Sequence, residues 1–135
     1  MYKEKYKLTL NDNELFESRR KILLDSVKTV KKKLLHKPIE FMDNEFTFNS
    51  DSRDEFFNML MLYTLEDKTE GYYIYWYNDD NIEVSLRFRD AIALANKVHN
   101  HIQKITRHCR AIKDRILQAK TIEELDSIEI NSEIS

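Results

Sequence analysis

From Phe88 to Ala119 the chain places apolar residues at unbroken alternating steps of three and four: Phe88, Ala91, Ala95, Val98, Ile102, Ile105, Cys109, Ile112, Ile116 and Ala119. On a helix of 3.6 residues per turn these steps fall on one narrow stripe, the seam of a coiled coil. The stripe predicts one continuous helix about 48 Å long at 1.5 Å per residue. A compact domain built from 135 residues measures only about 30 Å across. A helix of that length needs something to cover its seam.

The nearest candidate cover is a second helix expected from about Asn13 to His36, opened by caps in Asn11-Asp12-Asn13 and stopped by Pro38, since proline disfavours the α conformation in the residue before it. Its own stripe reads Phe16, Leu23, Val27, Val30, Leu34 and is interrupted by Arg20. At about 36 Å it can shield much of the long seam in an antiparallel pair, but not all. The remainder is expected to meet another chain. Val98, Ile102, Ile105, Ile112 and Ile116 are therefore interface candidates, and a homo-oligomer is the expected state.

Between the two helices the pattern changes. Ile39-Glu40-Phe41, a turn at Met42-Asp43-Asn44, and Glu45-Phe46-Thr47-Phe48 read as a small hairpin. Ser52 and Glu55 have capping-box spacing and open a helix to about Glu66 that is apolar nearly all round, from Phe56 and Phe57 through Met59 to Tyr63. Such a helix is expected to be central and buried. Gly71 then introduces Tyr72 to Tyr77, the turn Asn78-Asp79-Asp80-Asn81 and Ile82 to Leu86, a second hairpin by its aromatic and β-branched residues. Thr121 and Glu124 form another capping box, opening a short helix to about Ile128. Residues 2–10 alternate weakly and suit an extended lead-in. The expected fold class is α+β: long antiparallel helices, two small β-hairpins and a short buried helix, with residues 1–128 as a single domain and 129–135 as a flexible tail.

Composition narrows the function classes. The chain has one glycine and one proline. A phosphate-cradling loop or dinucleotide fingerprint needs several glycines, because only glycine takes positive φ freely and lets the backbone approach a ligand. Both are excluded. The first residues lack the apolar stretch of a signal peptide, no run approaches the roughly 20 residues of a membrane span, and the lone Cys109 suits a reducing compartment. A soluble, cytoplasmically made protein is expected. The net charge of −2 conceals segregation: residues 1–37 hold eleven bases against five acids, 38–90 hold four against thirteen, and 91–120 hold seven against one. Lys31, Lys32, Lys33, Arg107 and Arg110 form the basic set a nucleic-acid contact would use. Solvated helix faces that complement the acidic middle explain the same pattern and are favoured.

Residues that could carry chemistry have plainer readings. His99, His101 and His108 lack the four-residue spacing by which two ligands on one helix face a single metal ion. Cys109 lies in the apolar seam and suits a buried small hydrophobe better than an activated thiol. Asp51, Asp54, Glu55, Asp79 and Asp80 are accounted for by caps and turns, and Asp79-Asp80 lacks the alternating oxygens and glycine of a calcium loop. No catalytic residue, metal or cofactor is expected. The tyrosine-rich strand is different. Tyr73, Tyr75 and Tyr77 fall on one face, and Tyr72, Ile74 and Trp76 on the other. One face is expected in the core, leaving the other as a surface of a composition favoured in protein contacts. Trp76, on either reading, is a candidate contact anchor.

From Phe48 onward the features occur in a familiar order: Phe48-Asn49-Ser50-Asp51-Ser52-Arg53, Trp76 followed by Asp80-Asn81, then Leu86, His99-Asn100-His101, Lys113, Ile116, and Ala119 through Leu125 with Ile128. This order resembles the phage-associated domain-of-unknown-function family 4376, found in tail or tail-fibre-related phage proteins, over roughly residues 13–128. The stretch after Phe48 is shorter than the usual Phe-Asp-Ser-Asp arrangement, and Arg87 stands where a threonine is common. The resemblance implies a phage origin and a virion-assembly setting, in the host cytoplasm during assembly or in the virion tail. It implies no catalytic residues. A structural or assembly module contacting itself or other virion proteins is the expected function. The alternative is a phage-encoded regulator or inhibitor that binds a host protein through the acidic middle.

Overall fold

Asn11 opens the first helix in the computed structural model, which describes residues 11–132. Its side-chain oxygen accepts from the Glu14 N–H at 2.7 Å, and its side-chain nitrogen donates to the Glu14 carboxylate at 2.9 Å. Helix α1 runs Asp12–Leu35, with acids in its first turn and Lys32 and Lys33 in its last, as the helix dipole favours. The extended lead-in expected over residues 2–10 lies outside the described residues.

Strands β1 (Ile39–Phe41) and β2 (Asn44–Phe46) pair antiparallel. Met42 and Asp43 connect them at φ 51° and 61°, the left-handed pair of a two-residue hairpin turn. Helix α2, Ser50–Leu65, begins earlier than expected. Asn49, not Ser52, is its N-cap: the Asn49 side chain accepts from the Ser52 N–H at 2.8 Å, and the Ser52 hydroxyl accepts from the Asn49 N–H at 3.0 Å. Ser52 thus fills the reciprocal position expected of Glu55. Nor is α2 buried all round. Phe56 and Leu60 are buried, whereas Met61, Leu62 and Leu65 are exposed, Leu65 by 75%. Phe56 and Leu60, four apart, share the buried stripe, and Phe57, Met59 and Tyr63 pack against the core at its edges, partly buried.

Strands β3 (Tyr73–Tyr77) and β4 (Glu83–Arg87) form the second hairpin, in the register Tyr73 opposite Arg87, Tyr75 opposite Ser85 and Tyr77 opposite Glu83. Asn78 organises its turn, accepting on one side-chain oxygen from the N–H groups of Asp80 and Ile82. The two hairpins are tied together by Asp79. Its carboxylate accepts from the Thr47 N–H at 2.8 Å and the Thr47 hydroxyl at 2.7 Å, and its own N–H donates to the Glu45 carbonyl. A residue read as a turn-former is also a tether.

Helix α3, Phe88–Gln118, follows β4 without a loop and is roughly 46 Å long. Thr121 then caps the short helix α4, Ile122–Asp126, which ends before the expected Ile128. Residues 129–132 carry no helix or strand, and the rest of the expected tail, 133–135, lies outside the described residues.

The described residues fall into two compact units, residues 32–107 and the stretches on either side of them. The core of residues 32–107 gathers both hairpins, α2 and the first part of α3, through Phe46, Phe56, Ile74, Leu86 and Leu94, each at most 1% exposed. Phe56 meets Trp76 edge to face at 4.9 Å between ring centres, and Phe48 lies near-parallel to Trp76 at 6.1 Å, geometries favoured by the ring quadrupoles. In the other unit Val27, Cys109, Ile112, Ile116 and Leu125 are buried. Arg20 reaches the Ala119 carbonyl there, and Lys31 lies close enough to act on the Cys109 thiol, so α1 and α3 run antiparallel in this unit.

The seam is the principal correction. Val98, Ile105, Ile112 and Ile116 are at most 2% exposed within the single chain, and Ile102 is partly buried. They are core residues, not a bare stripe awaiting a second chain. Leu125 of α4 is fully buried as well. Leu94, outside the expected stripe, is buried in place of the half-buried Ala95, because a straight 3.6-residue helix drifts off a strict heptad line.

Candidate protein-contact surface

Alternation along β3 sends Ile74 into the core, fully buried, and Trp76 part of the way. It leaves Tyr73, Tyr75 and Tyr77 on the opposite face, 46%, 57% and 58% exposed. This settles which side of the hairpin faces outward. β4 completes the face: Arg87, Ser85 and Glu83 are exposed directly opposite Tyr73, Tyr75 and Tyr77, close enough for each pair to touch side by side. Each row pairs a tyrosine with a residue of different charge. The surface is a tyrosine ridge flanked by a cation at one end, a neutral hydroxyl in the middle and a carboxylate at the other end. Arg87 and Glu83 were not singled out in the sequence. The period-two pattern of β4, read across the turn, was the signal that could have found them.

Trp76 anchors this hairpin from beneath, wedged against Phe48 and Phe56. It is a packing residue with one edge toward the surface, not a free contact anchor. At the start of the hairpin Tyr72 and Tyr73 join Glu70, Arg87 and Arg89 around an open recess that also includes Gly71, whose φ of 81° suits glycine.

The remaining predicted residues are scattered. Lys32, Lys33, Arg107 and Arg110 are exposed, Lys31 is half-buried, and Arg110 lies 3.6 Å from Asp114. His108 has a ring nitrogen 3.1 Å from the Asn131 carbonyl. Among the described residues no group of three or more His, Cys, Asp and Glu side chains is placed to hold a metal ion, and no helix is long and apolar enough to cross a membrane. Cys109 is buried and unpaired. Burial pushes its thiol above the ordinary value, and the charge of Lys31 offsets this only in part.

Compared with known proteins, the chain matches one family model, described as Domain of unknown function (DUF4376), over residues 19–130. No curated protein and no solved structure matches it.

Proposed function

The chain belongs to the DUF4376 family, and from that footing we propose that it is a structural or assembly module of a phage, associated with the tail or tail fibre, that works by protein–protein contact and not by catalysis. Its setting on this reading is the host cytoplasm during assembly, or the virion tail itself. The observation that carries the reading is the exposed tyrosine face with opposite charges at its two ends. Tyrosine brings large contact area with few rotatable bonds to immobilise, which is why interfaces are enriched in it.

The charge order on that face favours a second copy as the partner. Let a two-fold axis lie between two such faces, along the row that joins Tyr75 to Ser85. It brings Tyr75 over its own counterpart, and Arg87 over the Glu83 of the other copy, twice. A two-fold contact has to be self-complementary in this sense. The test is a charge-swap cycle. Arg87→Glu alone and Glu83→Arg alone place like charges opposite one another and weaken self-association, and the double variant restores it. If the double variant associates no better than the two singles, the face does not pair with itself.

A second reading has its own support. Asp51, Asp54, Glu55 and Glu66 rim a groove of about 640 Å³ whose apolar side is formed by Met59, Leu62 and Trp76. An acidic rim over an apolar floor fits a basic amphipathic segment of a host protein, the regulator or inhibitor alternative. A strictly monomeric chain would turn the balance toward it.

A further inference from the structure

Residues 38–90 carry thirteen acids against four bases, yet one cavity of about 250 Å³ in residues 32–107 has no acidic residue in its lining. Five lining residues can be cationic: Lys32, His36, Lys37, Arg53 and His101. They come from the end of α1, the first turn of α2 and the middle of α3, so the fold and not a single basic run gathers them. Two of them have incomplete hydrogen bonding, and of these Arg53 is open to the cavity. His101 Nε2 is shielded from solvent and has no partner among the described residues, an arrangement rare enough to need an explanation. Among the described residues the Arg53 guanidinium forms one ion pair, with Asp54 at the long distance of 4.0 Å. Ser50, the first residue of α2, also lines the cavity and adds the positive end of that helix's dipole. The floor is apolar, formed by Phe48, Val98 and Ile102, of which Phe48 and Val98 are buried core residues.

We infer that this cavity binds a small phosphomonoester. The phosphoryl group sits against Arg53 with Lys32, His36 and Lys37 at the rim, the His101 ring lines the wall, and the apolar body lies on Phe48 and Ile102. A phosphoryl group offers three strong acceptor oxygens and close to two negative charges, enough to engage several of these donors at once, where a carboxylate offers only two oxygens. An arginine fork matches phosphate geometry and gives the stronger, charge-assisted kind of hydrogen bond. The apolar floor distinguishes an organic phosphate from the bare ion.

The test is a titration of the full chain with phenyl phosphate and, separately, with inorganic phosphate, followed by the ring-proton resonances of His36 and His101 and by calorimetry. Phenyl phosphate is expected to shift both histidines saturably and to bind more tightly than inorganic phosphate. Arg53→Gln is expected to weaken binding about tenfold or more, and Arg107→Gln to leave it unchanged. Melting curves of the variants show that they fold. The inference is overturned by an absence of saturable shifts, by equal affinity for the two probes, or by undiminished binding in folded Arg53→Gln.

Discussion

Arg20 donates from its guanidinium to the main-chain carbonyl of Ala119 at 2.9 Å, just past the C-terminal end of the 31-residue helix α3. In the sequence this arginine only interrupts an apolar stripe. In the structure it sits with its guanidinium carbon 4.6 Å from the Phe16 ring centre and 3.2 Å from Glu17, and it supplies a cation where the helix leaves carbonyls unpaired and the dipole is negative. Arg20→Met is expected to lower stability by about 1–3 kcal/mol in urea unfolding, because a half-buried carbonyl loses a charged donor. Arg20→Lys, which keeps the charge but not the fork, should fall between the two.

The position of the second helix's cap is open to a direct comparison. Asn49→Ala removes the side chain that satisfies the Ser52 amide and is expected to cost about 1 kcal/mol. Glu55→Ala, on an exposed position one turn further in, should cost little. Paired melting curves of the two variants read the difference, and a larger loss for Glu55 would contradict the cap.

The two flanks of α2 should respond unequally. Phe56 is fully buried against Trp76, so Phe56→Ala is expected to cost about 3–5 kcal/mol and to alter the fluorescence of the chain's single tryptophan. Leu65 is largely exposed. Leu65→Ala should be close to neutral in the same denaturant titration.

Burial holds the Cys109 thiol in its protonated form. The folded thiol therefore keeps its proton to higher pH than the unfolded one, and its contribution to stability is full below the ordinary thiol value and is lost as pH rises from there through the raised folded value. Cys109→Ala should show less of this alkaline loss than the parent chain. A thiol-alkylating reagent should modify the native protein slowly and the urea-unfolded protein fast.

Element types were largely legible in the sequence because each has a local cause. The three-and-four stripe from Phe88, the stop before Pro38, the turn after Tyr77 and the Thr121 cap all act within a few residues. Burial was less legible because it depends on what else the chain brings to the same place. The stripe Ile105, Ile112 and Ile116 is plain in the sequence, but its burial within one chain depends on elements far along the chain and has no local sign. The apolar ring of α2 hid which stripe would face inward, since Met61 and Leu62 look no different from Phe56 and Leu60 in composition. In the candidate surface, the tyrosines were visible as an alternating face, whereas Arg87 and Glu83 joined them only through the cross-strand register. The cation-lined cavity draws on three elements and has no counterpart in any one stretch of sequence.

On the proposed function, the tyrosine face of the second hairpin mates with another copy. The most direct measurement is the absolute mass in solution, by light scattering after size exclusion at two concentrations, for the parent chain and for Tyr75→Asp. The parent is expected to show a mass above that of one 16.3 kDa chain, rising with concentration, and Tyr75→Asp to stay monomeric while melting as the parent does. A parent chain that is monomeric at both concentrations, or a Tyr75→Asp variant that associates as well as the parent, would contradict it.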